Sequence, residues 1–207
     1  MKERPILSYG HEVRAILARR RTMLRRVVKA DTAWSLDPLR AAAASAGHFW
    51  FSTDGISPGS IHLTCPYGEP GDRLWVRENF WRDSHKPTLH LGARERVEYD
   101  ADLNDLDRDE LRGTTYRHRP SIHMPRWASR LTLEITSVRV ERLQLISEAD
   151  AIAEGWPKQI DPGAHTGGNG GPFDWYRAVW ESINGPGSWD ANPWVWVLTF
   201  KRMEGGR

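Results

Sequence analysis

Charged side chains that could bind a ligand are concentrated in two short segments. The first, near the N-terminus, holds Arg21, Arg25 and Arg26. Guanidinium groups bind phosphate or carboxylate bidentately and stack on flat rings. On a predicted strand Arg25 and Arg26 point to opposite faces, so at most one can face a given site. The second segment ends an apolar strand with Arg77 and Glu78. Glu78 could pair with Arg21 or Arg25, accept a hydrogen bond from a base amine, or form a purely structural ion pair.

Arginine and tryptophan are both unusually frequent. All but five of the 29 lysines and arginines are arginine, and 11 tryptophans accompany five phenylalanines and five tyrosines. Four tryptophans are candidates for stacking on bases: Trp50, Trp75, Trp81 and Trp127. Four others lie in periodic apolar segments and are expected in the core: Trp175, Trp180, Trp194 and Trp196. The two biases suggest nucleic acid, but a net charge of +2 does not predict nonspecific binding to long polymers.

Metal-binding patterns are weak in this sequence. His62 and Cys65 have zinc-like spacing, yet no second pair follows at the spacing of a zinc finger. The acidic run 105–110 lacks the glycine and terminal glutamate of a calcium loop. His118 and His123 could contact RNA phosphates or serve as acid and base in a nuclease, although solvated loop histidines fit equally. We expect neither a metal nor an organic cofactor.

The chain reads as alternating short strands and helices. Predicted strands lie at 5–8, 22–28, 48–55, 60–68, 74–80, 97–99, 131–142 (with a bulge at 136–137) and 193–203. Predicted helices or helical turns lie at 11–21, 39–46, 105–111, 147–155 and 173–185. Long irregular segments between the strands argue against a doubly wound parallel sheet. The pattern favours one α+β domain over residues 1–207, a β-rich barrel or sheet with about three short helices. Insertions are expected at about 30–65, 83–118 and 157–172.

Several classes of protein are disfavoured by composition. The single cysteine, Cys65, excludes an intramolecular disulfide and an all-cysteine zinc site. The charged N-terminal segment lacks the apolar stretch of a signal peptide, and no apolar run approaches a membrane span. A cytoplasmic protein without membrane association is therefore expected.

Several motifs together resemble the ASCH domain, a relative of the PUA-like β-barrels. The basic segment 15–26, the motif PGDRLWVRE and the stretch from the central strand into its following helix carry the resemblance. The chain is most similar to the decorated ASCH proteins of phages and prophages. The stretches that match those proteins are 65–68, 70–72, 74–78, 121–130 and 181–197.

The resemblance implies a PUA-like/ASCH β-barrel with a cleft beside the first helix that binds RNA or nucleobase-like ligands. Small bacterial members are amidohydrolases that deacylate acylated cytidine with a lysine, a threonine and a glutamate. In this chain the lysine position is Arg21, the threonine position is Leu24 and the glutamate position is Glu154. Leucine supplies no nucleophile, and arginine stays protonated and cannot act as a base. Thr22, about 6–7 Å away at strand rise, is the hydroxyl that remains nearby.

These substitutions favour binding over hydrolysis. We expect the cleft to bind RNA, single-stranded nucleic acid or a modified nucleoside. Its expected lining residues are Arg21, Thr22, Arg25, Glu78 and Glu154, with Arg77 and Trp75 as further ligand-binding candidates. Three alternatives remain open: an amidohydrolase that uses Glu154 with Thr22 or a water, a ribonuclease of the same fold, and a phage–host interaction module whose insertions carry the partner surface.

Overall fold

The fold is seen in a computed structural model that describes residues 1–29, 40–45, 48–52, 61–83, 96–157 and 170–204, with backbone only for 40–45, 48–52 and 61–62. The strands are β1 (Glu3–Leu7), β2 (Met23–Val27), β3 (Arg40–Ser45), β4 (His48–Ser52), β5 (Ile61–Thr64), β6 (Arg73–Arg77), β7 (Phe80–Asp83), β8 (Val97–Tyr99), β9 (Tyr116–Arg119), β10 (Thr132–Arg142) and β11 (Trp194–Arg202). The α-helices are α1 (Gly10–Leu17), α2 (Asp105–Arg112), α3 (Glu148–Ala153) and α4 (Pro172–Asn184). Short 3₁₀ helices cover Asp100–Asp102, Ser121–His123, Arg126–Ala128 and Leu143–Leu145. The α+β class is confirmed.

The main sheet has five strands in the order β1-β6-β10-β11-β2, with β1 parallel to β6 and the other pairs antiparallel. The register of β10 against β11 shifts between Ile135 and Ser137, which confirms the predicted bulge. Among the described strands, β1 and β2 are the two edges and do not pair with each other. This sheet is open, so the expected closed barrel is not seen among these strands.

The two smaller sheets are built from segments predicted as insertions. In the sheet β3-β4-β5, β4 and β5 pair antiparallel, which confirms the strands predicted at 48–55 and 60–68. The prediction of helical turns at 39–46 is wrong, because β3 pairs with β4 and this pairing overrides the helix propensity of its alanines. Most of the described part of the second insertion forms β8, α2 and β9, and the strands β8 and β9 pair with β7. Residues 158–169 of the third lie outside the described residues.

The helices begin and end at local signals. The side chain of Ser147 accepts a hydrogen bond from the backbone N–H of Asp150 and so caps the start of α3. Helix α4 starts with proline at its first position, which suits proline because no backbone N–H is needed there. Helix α1 ends at Leu17, earlier than predicted, and Arg19 has a positive φ of 56°. None of the described helices has the length and apolar character needed to cross a membrane.

Two apolar clusters lie on opposite faces of the main sheet, because neighbouring residues of a strand point to opposite sides. One face packs against α1 and includes Leu24 and Trp196. The other packs against α3 and α4 and includes Met23, Tyr176 and Trp180. Along β2 the residues therefore alternate between the two faces. This alternation places Arg25 on the α4 side and Arg26 on the α1 side.

The tight junction after α3 yields a first prediction. Gly155 has a φ of +107°, and a Cβ there would lie 3.0 Å from the Cβ of Ala15 and 3.3 Å from the Cβ of Arg21. Gly155→Ala is expected to lower the free energy of unfolding, measured in urea, by at least about 1–3 kcal/mol from backbone strain, with a further loss from the contact.

Gly185→Ala is the matched control. Its φ of +94° is similar, but a Cβ there would meet nothing within 4 Å. Equal losses in the two variants would show that close packing of Gly155 against Ala15 and Arg21 contributes nothing to stability.

Candidate functional site

A cavity of about 560 Å³ opens where the main sheet is not closed. Both edge strands contribute to its wall. Strand β1 does so through Pro5, Ile6 and Leu7, and β2 does so through Arg25, Arg26 and Val27. Helix α4 covers one side, and residues 78–79, 100–101 and Ser121 line another. The volume falls in the range of about 300–1,000 Å³ that small-molecule sites occupy.

The floor of the cavity is a set of charges, here called the buried ion cluster: Glu12, Arg21, Arg25 and Glu154, which are buried, and Arg26, which is partly exposed. Arg21 Nη2 lies 2.7 Å from Glu154 Oε2 and 3.1 Å from Glu12 Oε1. The side chains of these three residues are at most 6% exposed. Each charge is therefore held by an opposite charge, as burial requires.

Arg25 extends the cluster toward α3 and β10. Its Nη1 lies 3.1 Å from Glu154 Oε1, and its Nη2 lies 2.8 Å from Glu141 Oε1 and 2.7 Å from Asp150 Oδ2. Arg139 in turn bonds Glu141 and Asp150. The guanidinium of Arg25 is thus fully occupied at its two terminal nitrogens. Its Nε is buried and has no hydrogen-bond partner among the described residues.

Arg26 joins the two edges of the open sheet. Its Nη2 donates to the backbone carbonyl of Leu7 on β1 at 2.9 Å and to Glu12 Oε2 at 3.2 Å. Arg25 and Arg26 both line the cavity, so the expectation that at most one of them faces the site is wrong. The reason is that the cavity lies at the edge of β2, where side chains from both faces of the strand reach it.

The pKa values of the two buried glutamates respond differently to their surroundings. Burial raises the pKa of Glu12, but Arg21, Arg26 and the backbone N–H of Tyr9 outweigh burial and lower it to about 2. Burial also raises the pKa of Glu154, and there Arg21 and Arg25 only oppose the rise. Glu12 is therefore an anion at neutral pH, fixed by α1 at the floor of the cavity.

Aromatic rings form much of the remaining wall. Tyr176, Trp175 and Trp180 come from α4, and Tyr9 and Tyr67 lie on other segments of the lining. The guanidinium carbon of Arg25 lies 5.8 Å from the centre of the Tyr176 ring. Trp180 is 5% exposed, and its Nε1 has no hydrogen-bond partner among the described residues. A ligand with flat rings would suit this wall.

Glu78 lines the cavity but has a partner that was not predicted. Arg130 holds it bidentately, with Nε–Oε1 and Nη2–Oε2 distances of 2.9 Å. The guanidinium carbon of Arg130 also lies 3.9 Å from the centre of the Tyr99 ring. Burial raises the pKa of Glu78, and Arg130 opposes the rise. The structure gives Glu78 a structural ion pair rather than a pair with Arg21 or Arg25.

Three predicted site residues lie away from the cavity. Thr22 is exposed, and its backbone bonds Ala153 and Phe200. Trp75 and Arg77 alternate with the buried residues of β6 and so lie on its outer face, with the Arg77 guanidinium carbon 5.4 Å from the Trp75 ring centre. The lining of the cavity includes none of the three. Leu24, at the position expected for a nucleophile, is buried in the core.

The other chemical candidates occupy solvated or structural positions. Asp107 forms a capping box with Asn104 at the start of α2, and Asp105 and Asp109 pair with arginines of the same helix. His118 packs edge-on against Trp81. Cys65 is buried, whereas the side chains of His62 and Trp50 lie outside the described residues. The described part of the chain holds no group of three or more potential metal ligands.

Glu12 is a site residue that was not predicted, although the sequence holds a signal for it. Positions 12 and 16 are four apart on one helix, so Glu12 lies on the same face as the apolar residue Ile16. A carboxylate inside an apolar stripe is a buried charge that requires a cationic partner. Arg21 and Arg26 are those partners, but nothing local to the helix could identify them.

Comparisons with protein-family models, with curated proteins and with solved structures found no match for this chain.

The lowered pKa of Glu12 predicts an acid-sensitive contribution to stability. A carboxyl whose pKa falls from its usual 4.5 to about 2 on folding stabilises the fold by about 3 kcal/mol above the unfolded pKa. That contribution is lost as the pH falls through the folded pKa. The difference in unfolding free energy between the native chain and Glu12→Gln, measured in urea, should therefore shrink between about pH 5 and pH 2.

Glu3→Gln is the control. The hydrogen bond from Arg126 lowers the pKa of Glu3 too, but that side chain is 38% exposed, so the variant should change the pH dependence much less. A difference for Glu12→Gln that stays constant across this range would contradict the assignment.

Proposed function

We propose that the cavity binds one planar nucleobase, presented by a modified nucleoside or by a residue of a single-stranded nucleic acid. The observation that carries this proposal is the composition of the wall. Paired guanidinium and carboxylate groups form the floor, and tyrosine and tryptophan rings form the sides. Arginine and glutamate are side chains that read the donor and acceptor edges of bases.

The charges of the floor, taken together with the side chains paired to Arg25, are balanced, and this balance favours a neutral ligand over a phosphate. Arg21, Arg25, Arg26 and Arg139 are matched by Glu12, Glu141, Asp150 and Glu154, each within salt-bridge distance of at least one partner. A phosphate entering the floor would have to displace a carboxylate from an arginine and leave that carboxylate buried and unpaired, which is costly. A base edge that offers donors to a glutamate and acceptors to an arginine leaves the pairs in place.

The aromatic side of the cavity supplies the second half of the recognition. Stacking of a base on an aromatic side chain contributes about 1–3 kcal/mol. Tyr176 and Trp180 are almost fully buried. Tyr9 and Trp175 also line the cavity and keep part of their rings exposed, so a base can stack on these two rings.

We further propose that the chain is a decorated ASCH-type, PUA-like module in which the barrel is open at the cavity. Two observations support this assignment. Arg21 and Glu154, at the positions that the resemblance gives to a lysine and a glutamate of the site, lie 2.7 Å apart in the cavity. The cavity also adjoins the start of the first helix, through Tyr9, Gly10 and Glu12.

Within this fold, binding is better supported than hydrolysis. The one hydroxyl suggested as a substitute nucleophile, on Thr22, is exposed and lies outside the lining of the cavity. Both oxygens of Glu154 already accept hydrogen bonds from arginines, so this carboxylate is poorly placed to take a proton from water.

The binding proposal predicts a specific effect at Trp175. Nucleosides (cytidine, guanosine, adenosine, uridine and N4-acetylcytidine) are titrated into the protein, and calorimetry measures their binding. Trp175→Ala removes a partly exposed ring from the cavity wall. For the nucleoside that binds most tightly, loss of stacking worth about 1–3 kcal/mol should weaken binding at least about fivefold.

Phe173→Ala provides the matched control, because Phe173 is a 38% exposed ring on the same helix, but it does not line the cavity. Its affinity should match that of the native chain. The proposal fails if no nucleoside binds, or if the two variants lose affinity equally.

The preference for binding over hydrolysis has its own test. The acylated cytidine is incubated with excess protein, and released acetate is measured. We expect no release above the buffer rate. Acetate release that disappears in Thr22→Ala and in Glu154→Ala would instead establish the amidohydrolase alternative.

A further inference from the structure

A row of arginines lies on one face of the small sheet β8-β7-β9. In this antiparallel register Arg82 is opposite Arg117, and Phe80 is opposite Arg119. Directly opposed residues of an antiparallel pair point to the same side. Arg82, Arg117 and Arg119 therefore share a face, and with Trp127 they form what is here called the arginine face.

Two of the cations on the arginine face, Arg117 and Arg119, are exposed. Arg117 donates to the backbone carbonyls of Thr114 and Tyr116, and no carboxylate in the described part of the chain lies within salt-bridge distance of either arginine. The acidic residues of these strands, Asp83 and Glu98, alternate onto the opposite face.

An exposed tryptophan lies beside these cations. Trp127 is 54% exposed, and the guanidinium carbon of Arg82 lies 6.0 Å from its ring centre. An exposed indole next to arginines can stack on a base while the arginines contact phosphates. Acidic peptides would use the charges but not the flat ring.

The arginine face reaches the rim of the cavity. Arg119 is two residues before Ser121, which lines the cavity. The backbone N–H of Ser121 donates to the side-chain oxygen of Asn79 at 2.9 Å. Asn79 also lines the cavity and directly precedes Phe80, the partner of Arg119. A strand of nucleotides lying along the face would thus come to the cavity at this corner.

We infer that the arginine face binds the phosphodiester backbone of a single-stranded nucleic acid, one base of which enters the cavity. The ligand would then be a residue of a polymer and not a free nucleoside. The charges indicate which part of the ligand each surface binds. The paired charges of the cavity suit a neutral base, and the exposed Arg117 and Arg119 suit phosphates. The part that concerns the cavity rests on the proposed function, whereas binding to the face does not.

The test uses a fluorescein-labelled single-stranded RNA octanucleotide of mixed sequence, with anisotropy measured at several salt concentrations. The double variant Arg117→Ala/Arg119→Ala should weaken binding at least about tenfold at low salt. It should also reduce the slope of log affinity against log salt by about 1.4, since each lost phosphate contact contributes about 0.7. Nucleoside binding to the cavity should not change in this variant.

Two further variants make the result specific. Arg19→Ala/Arg177→Ala removes two exposed arginines elsewhere and should leave the affinity within about twofold of native, because net charge alone contributes little at this size. Trp127→Ala should weaken binding about fivefold or more through lost stacking, whereas Trp127→Phe should retain most of it.

The inference is overturned if the two double variants lose affinity equally, if polyglutamate or anionic lipid vesicles compete as well as unlabelled RNA, or if the octanucleotide does not bind. The cavity is assessed separately by Trp175→Ala. If this variant has no effect on either ligand while the arginine variant weakens RNA binding, the face is supported and the proposed role of the cavity fails.

Discussion

The pairing of buried charges around Glu154 is the constraint on which the rest of the site depends. Glu12, Arg21, Arg25 and Glu154 are almost completely removed from solvent, and a buried charge without a partner is strongly destabilising. The pairs connect α1, β2 and the end of α3 directly, and Arg25 adds β10 through Glu141. No single member can be moved without leaving another unpaired, so the floor of the cavity is rigid in position and in charge.

This constraint also explains why the sheet is open where it is. If β1 and β2 paired directly, their backbone groups would fill the gap that the cavity occupies. Arg26 instead bridges the gap with a side chain, from β2 to the carbonyl of Leu7 on β1. The bridge satisfies a backbone acceptor at the edge and keeps the two strands apart. The opening is thus held by the same cluster of charges that forms the floor.

Helix α4 and the small sheet β8-β7-β9 lie outside the main sheet and border different parts of this opening. Helix α4 packs on the sheet through Tyr176 and Trp180, and the same helix lines one side of the cavity. The strands of the second insertion, 83–118, together with β7, form a separate small sheet beside the rim. Its two faces differ in charge, because Arg82, Arg117 and Arg119 lie on one face and Asp83 and Glu98 lie on the other.

Local features were readable from the sequence. The bulge in β10, the Ser147 cap and helix α4 follow from periodicity and turn chemistry, which depend on residues close in the chain. The cavity also includes four of the predicted site residues, Arg21, Arg25, Glu78 and Glu154. The resemblance to ASCH domains pointed to Arg21 and Glu154 as site residues. In the tertiary structure their side chains are in contact, 2.7 Å apart.

Only the tertiary structure decided which charges pair and which faces meet. Arg130 reaches Glu78 across 52 residues, and Glu12 meets Arg26 across a sheet edge; both distances in sequence are too long for spacing rules. Strand alternation predicted opposite faces for Arg25 and Arg26 correctly, yet the edge position of β2 brings both to one cavity. The sequence determined which groups must be buried in pairs. The fold decided their partners, because the pairing of distant segments depends on packing of the whole sheet and not on any local pattern.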